Sequence, residues 1–268
     1  MVTLARSVIR YRTFGGGGPK VVLLHGGMQT AQSFQKLAAA LADRFTVYVP
    51  DRRGRGLSGP FAADHGIETE VDDLGGLLAE TGARNVFGLS AGAIIALQTA
   101  LVRPEIHRLA LYEPPLRFGA TDPAGWLPRY EKELAKGDLG AAMVTIMTGT
   151  GSVRHVPRAA LLPLMKLAVR ADRGQDGTPL RELIPTMHYD AITIEQAAGP
   201  LARFAEVRAE TLLLGGARSA PYLKAVLNGL EPVLPHVRRV TLSGVGHLAA
   251  DNGGKPLMVA EQLRVFFN

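Results

Sequence analysis

Apolar and polar positions change their period repeatedly along the 268 residues. Residues 7–13 alternate loosely and predict a peripheral strand, which the turn at Gly15 to Gly18 and Pro19 closes. Val21-Val22-Leu23-Leu24 is apolar at every position, the pattern of a strand covered on both faces in a parallel sheet. Residues 31–41 then follow helical spacing, and residues 45–49 form another short β-rich run before Pro50. A glycine-rich loop from Asp51 to Gly59 leads into a helix with Ile67, Val71, Leu74, Leu77 and Leu78 on one face. Residues 86–89 predict a strand, Ala91–Val102 a helix, and Arg108–Tyr112 a buried strand halted by Glu113-Pro114-Pro115.

Beyond residue 116 the β-rich runs vanish. Helical segments carrying Trp126, Tyr130, Met143, Ile146, Met147, Leu161, Leu164, Met165 and Leu167 take over until about residue 207. Sheet character resumes at Thr211-Leu212-Leu213-Leu214 and at Val237–Leu242, and a last amphipathic helix carries Val259, Leu263, Phe266 and Phe267. Strands alternating with helices at this spacing predict an α/β fold, a mostly parallel central sheet flanked by helices. Its core would be built from residues 1–115 and 208–268, with 116–207 as an inserted helical cap.

Composition narrows the partners. Hydrophobic residues make up 47% and charged residues 20% of the chain, the balance of an ordinary globular protein. The net charge of +6 comes from scattered Lys and Arg with no dense basic run, so no nucleic-acid partner is expected. There is no cysteine, which excludes thiolate nucleophiles and disulfides. Arg6, Arg10 and Arg12 interrupt the apolar residues near the N-terminus, and no window is long enough to span a membrane. A cytoplasmic protein without a membrane partner is expected.

The chemistry concentrates in three loops that follow core strands, where open parallel sheets place their ligands. One is His25-Gly26-Gly27-Met28. The second is Gly88-Leu89-Ser90-Ala91-Gly92, a G-x-S-x-G sequence between a strand and a helix, the setting of a nucleophile elbow. The third is Gly244-Val245-Gly246-His247. A serine hydroxyl needs a base within hydrogen-bond reach to act as a nucleophile, and His247 is the candidate. Glu113, an acid ending an apolar strand and costly to bury alone, is the candidate partner for His247, and Asp190 is the alternative.

These four features in this order, the H-G-G loop, the D-x-R-G-x-G-x-S type loop of Asp51 to Ser58, the elbow and G-x-G-H, resemble the α/β-hydrolase family. The resemblance covers nearly the whole chain apart from the helical insertion. It implies Ser90 as nucleophile, His247 as base, and the backbone N–H groups of Met28 and Ala91 as oxyanion donors. The family usually places its acid after the strand at Thr211 to Leu214, where this chain reads Gly215-Gly216-Ala217-Arg218. Haloalkane dehalogenases and zearalenone-type lactonases instead keep a catalytic Glu at the place of Glu113. By the same resemblance the Asp51 to Gly59 loop is a structural turn rather than a phosphate site, and His25 fixes its loop.

Gln29, Trp126, Tyr130, Met147 and His188 are the candidate substrate contacts. No metal or nucleotide motif is present, so no cofactor is expected. The expected activity is that of a cofactor-free serine hydrolase acting on a small, largely apolar ester or lactone. A lyase or C–C bond hydrolase using the same residues, and a non-catalytic small-molecule-binding homologue, are the alternatives, because a fold does not fix a function.

Overall fold

Strands β1 (Val2–Leu4) and β2 (Ser7–Ile9) form a small antiparallel ribbon. The main sheet begins with β3 (Tyr11–Phe14) and β4 (Lys20–Leu24). A short 3-10 turn, Ala31–Phe34, runs into α1 (Gln35–Leu41), followed by β5 (Thr46–Pro50), α2 (Ile67–Thr81), β6 (Asn85–Leu89), α3 (Ala91–Val102) and β7 (Arg108–Tyr112). Five helices come next: α4 (Leu127–Ala135), α5 (Leu139–Gly149), α6 (Arg158–Ala171), α7 (Leu180–Leu183) and α8 (Met187–Gln196). The chain closes with β8 (Glu210–Gly216), α9 (Pro221–Leu230), β9 (Val237–Leu242) and α10 (Pro256–Phe267). This computed structural model describes residues 2–4, 7–153, 155–174 and 177–268.

The seven-stranded sheet has the order β3-β5-β4-β6-β7-β8-β9. Only β3 runs antiparallel to its neighbour; every other pair is parallel. Alternation along the strands divides the core in two. Val22, Leu24, Val86, Leu109 and Leu213 face α2, α3 and α9, whereas Val21, Leu23, Phe87, Ala110 and Leu214 face α1 and α10. Both faces are covered, which is why the central strands read as unbroken apolar runs. Val259, Leu263, Phe266 and Phe267 of α10 bury the stripe expected of them.

Helices α4 to α8 and two 3-10 turns, Ile184–Thr186 and Leu201–Glu206, fill the stretch between β7 and β8, and among the described residues the only β-structure there is an isolated bridge between Phe118 and Thr121. Their apolar faces have no separate core. Trp126, Tyr130, Ile146, Ile184 and Ala191 join the same cluster as α2 and α3. No described helix is long and apolar enough to cross a membrane.

The structure departs from the expected edge strand. Residues 7–13 do not form one strand, because Arg10 interrupts it. The Arg10 N–H donates to Ser58 Oγ at 2.8 Å and its carbonyl accepts from the Asp51 N–H at 2.9 Å. The backbone there is spent on the 51–59 loop rather than on a neighbouring strand.

Candidate active site

Ser90 joins β6 to α3 with φ 56° and ψ −121°. For a residue with a side chain this backbone is strained, at a cost of order 1–3 kcal/mol, and its surroundings hold it in place. The Ser90 N–H donates to the Tyr112 carbonyl at 2.9 Å, while its own carbonyl accepts from Ala93 and Ile94 and so starts the helix. The flanking glycines are steric requirements. A Cβ at Gly88 would stand 2.4 Å from the Gly92 carbonyl oxygen, and one at Gly92 would stand 2.4 Å from the Leu24 oxygen. Neither fits.

Among the described residues, four that are not glycine have positive φ: Met28, Ser90, Glu113 and His155. The first three stand close after the C-terminal ends of β4, β6 and β7, at one edge of the sheet. Strain gathered in this way is characteristic of functional sites.

Glu113 follows the last residue of β7 and is fully buried. Its N–H still donates to Leu214 of β8 at 3.1 Å. One carboxylate oxygen, Oε1, accepts from the Gly216 N–H at 2.7 Å. The other, Oε2, accepts from His247 Nδ1 at 2.8 Å. Gly215 leaves the space this needs, because a Cβ there would lie 3.0 Å from Glu113 Oε1 and 2.7 Å from Leu227. The Tyr112 hydroxyl donates to the Gly246 carbonyl at 2.8 Å and anchors the histidine loop. With Nδ1 donating to Glu113, Nε2 of His247 is the nitrogen left to act as a base.

Asp190, the other acid considered for that place, is committed elsewhere. Its Oδ1 accepts from Arg52 at 2.9 Å and its Oδ2 from Arg55 at 2.6 Å. Arg52 also holds Glu70 through two bonds, at 2.6 and 3.1 Å, and Arg53 grips Asp73 at 2.6 and 2.7 Å. All these side chains are buried. Burial works against the charged form of Glu70, but Arg52 and His65 outweigh it and hold its carboxyl far below the usual range. Burial likewise opposes the charge on Arg52, and Glu70 and Asp190 reverse the balance and raise its pKa. Two arginines thus meet two carboxylates in a neutral cluster that ties the 51–59 loop to α2 and α8. The loop is a turn, as its glycines suggested.

In the loop after β4, the Arg52 N–H donates to His25 Nε2 at 3.2 Å, which leaves Nδ1 to donate to the Gly26 carbonyl at 2.9 Å. Burial pushes the imidazole well below its ordinary pKa, with Arg52 and Arg55 adding to the effect. His25 is therefore neutral and holds its loop. Gln29 does the same work: its Oε1 accepts from the Gly26 N–H at 2.8 Å, and its Nε2 donates to Asp251 at 2.7 Å. It lines the site, yet its amide is already engaged in locking the Met28 loop to the His247 loop. Ala91 is the first residue of α3, so its N–H is one of those no helical carbonyl can accept from.

Ser90, Met28, Ala91 and His247 line one cavity of about 350 Å³, whose walls are mostly apolar. Trp126 and Met147, two of the candidate substrate contacts, line it. Two other expected contacts do not. Tyr130 is fully buried behind Trp126, its ring at right angles to the indole and its hydroxyl donating to Ile184 at 2.7 Å. His188 lies outside the lining and pairs with Glu131 at 2.9 Å, both half-exposed. The wall residues not named as substrate contacts from the sequence include its helix neighbours Met187, Asp190 and Ile194, and Met143 and Ile146 of α5. The i, i+3, i+7 spacing of the first three marks one face of α8, and that phase was the available signal. Among the described residues no cluster of three or more His, Asp or Glu is arranged to hold a metal ion.

Comparisons with known proteins agree with the fold. The family model described as "Alpha/beta hydrolase family" matches residues 21–259. A pimeloyl-(acyl-carrier protein) methyl ester esterase from Stenotrophomonas maltophilia (strain K279a) is 28% identical over 264 residues, covering 90% of this chain and 98% of the relative. The uncharacterized hydrolase YraK of Bacillus subtilis (strain 168) is 39% identical over 104 residues, covering 37% of this chain and 38% of YraK. Among solved structures, an alpha/beta hydrolase from Sphaerobacter thermophilus DSM 20745 superposes with a TM-score of 0.80 at 30% identity, covering 98% of this chain and 100% of that one. With a family model spanning most of its length, this chain belongs to the alpha/beta hydrolase family.

Proposed function

We propose that the protein is a cofactor-free serine hydrolase that cleaves a small, largely apolar carboxylic ester through an acyl-enzyme on Ser90. The observation that carries this reading is the 2.8 Å contact between buried Glu113 and His247 Nδ1, beside a serine held in elbow geometry in the same cavity. An ester-cleaving relative of nearly equal length adds support.

The steps follow from the atoms available. Ser90 Oγ attacks the ester carbonyl while His247 Nε2 takes its proton, and the imidazolium is stabilised by the Glu113 carboxylate. The backbone N–H groups of Met28 and Ala91 receive the oxyanion; one such donor is worth about 3 kcal/mol in the transition state. The imidazolium then returns its proton to the departing alkoxide. A water deprotonated by the same nitrogen attacks the acyl carbonyl, and Ser90 leaves with the proton. Helices α4, α5 and α8 act as the cap that encloses the acyl group, and walls such as Trp126, Met147 and Met187 select an apolar one.

Turnover of p-nitrophenyl butyrate together with fluorophosphonate labelling tests the proposal. Hydrolysis and a covalent adduct on the Ser90 peptide are expected, both lost in Ser90→Ala. A folded protein that is neither labelled nor active would overturn it.

A further inference from the structure

A second groove of about 410 Å³ opens beside the first cavity and shares Thr150, Ser152, His247 and Leu248 with it. Its chemistry is different. Arg218 and Lys255 line it, both exposed, and neither has an acidic partner among the described residues. No Asp or Glu is part of its wall. Ser219, also in the wall, is only 5% exposed, and its Oγ has no hydrogen-bond partner among the described residues. A buried hydroxyl left in this way is unusual, and it is free to donate to a group in the groove. Next to it stands Ala220, the N-cap of the ten-residue α9. Pro221 at the first helical position carries no N–H, and the Leu223 N–H donates to the Ala220 carbonyl at 3.1 Å, so the two cations and the Ser219 hydroxyl, rather than the helix end, are what the groove offers an anion.

Arg218, Ser219 and Ala220 share the loop between β8 and α9, and Lys255 faces the groove from the start of α10. Because Glu113 reaches His247 from β7, the loop after β8 carries no acid, and Arg218 and Ser219 stand in it instead. The position of the groove sets which half of an ester it can receive. His247 Nε2 must hand its proton to the leaving oxygen, so the alcohol portion of the substrate lies on the His247 side, where the two cavities meet. The acyl portion lies under α5 and α8.

We propose that the groove binds an anionic group, a carboxylate or a phosphate, on the alcohol portion of the substrate, so that the preferred substrates are apolar acyl esters of acidic alcohols. The inference rests on the hydrolase reading above and adds the class of leaving group to it.

Three probes with a common acyl group test it: phenyl butyrate, 4-carboxyphenyl butyrate and 4-(butanoyloxy)phenyl phosphate. Wild type should favour at least one anionic ester over the neutral one by about tenfold in kcat/KM, carried mainly in KM and shrinking with added salt. The double variant Arg218→Ala, Lys255→Ala should bring that ratio close to one, and Arg218→Glu should invert it. Which anionic probe gains separates carboxylate from phosphate. A ratio of one in wild type, or a preference that survives loss of both cations, would overturn the proposal. If no ester is turned over, the hydrolase reading fails by itself, and calorimetric titration with 4-hydroxybenzoate and phenyl phosphate then decides on the groove. Binding that the double variant loses supports the site, and binding that is absent or unaffected refutes it.

Discussion

Glu113 divides its two carboxylate oxygens between the end of β8 and the histidine loop: Oε1 takes the Gly216 N–H at 2.7 Å and Oε2 takes His247 Nδ1 at 2.8 Å. The acid thus arrives from the strand next to β8, and Gly215 near the end of β8 leaves it room. Glu113→Gln should lower kcat for ester hydrolysis by about a thousandfold to ten thousandfold, as loss of the orienting carboxylate does in a serine protease. KM should move little, because the carboxylate does not touch the substrate. Steady-state kinetics on p-nitrophenyl butyrate make the check.

The elbow predicts a sharp contrast between two glycines. Gly92→Ala places a methyl group 2.4 Å from the Leu24 backbone oxygen, and overpacking of this kind costs about 1–3 kcal/mol or more. Gly16 has open space around it, and Gly16→Ala should change stability by less than about 0.5 kcal/mol. Urea unfolding of both variants reads the difference.

Asp190 neutralises Arg52 and Arg55 in a buried cluster. Asp190→Ala leaves two guanidinium groups short of a partner, and breaking a buried pair from one side costs about 3–5 kcal/mol. The midpoint of thermal or urea unfolding should fall accordingly, even though Asp190 is not assigned a step in the chemistry.

Glu70 makes stability depend on pH. Its folded carboxyl lies below the ordinary value of 4.5, so the unfolded chain takes up a proton first as the pH falls. Stabilisation from Glu70 is therefore fully present above about pH 5 and is lost progressively toward strongly acidic pH. Asp73, raised by burial, works in the opposite sense, so the comparison must be with Glu70→Gln. Between pH 5 and pH 3, wild-type unfolding free energy should fall more steeply than that of the variant.

Trp126 and Tyr130 stand one helical turn apart with different duties. Trp126→Ala should enlarge the cavity and move the acyl-chain optimum of p-nitrophenyl esters to longer chains. Tyr130→Phe should lose the bond to Ile184, at about 1 kcal/mol of stability, and leave the chain-length optimum in place.

Much of this was legible in the residues. Strands covered on both faces announce themselves as apolar runs, so β4, β6, β7 and β8 could be read directly. The elbow could be read because its glycines are dictated by contacts within a few residues and one neighbouring strand. Set beside the family resemblance, the absence of an acid after β8 and the acid ending β7 pointed to Glu113. What escaped depended on helix phase or on distant partners. His188 and Met187 are adjacent in sequence, yet only a known rotation of α8 tells which one faces the cavity. Nothing local to Arg52 says that it will meet Asp190, 138 residues away. The break at Arg10 likewise comes from the 51–59 loop and not from any breaker in the strand itself.

The central claim is that Ser90 carries the acyl group during turnover, activated through His247 and Glu113. Its most direct test is acid quenching during hydrolysis of p-nitrophenyl butyrate, followed by peptide mass spectrometry. The account predicts a butyryl group on the peptide containing Ser90 in wild type, and none in Ser90→Ala or, at the same quench time, in Glu113→Gln. Steady hydrolysis by wild type with Ser90 unmodified at every quench time would contradict it.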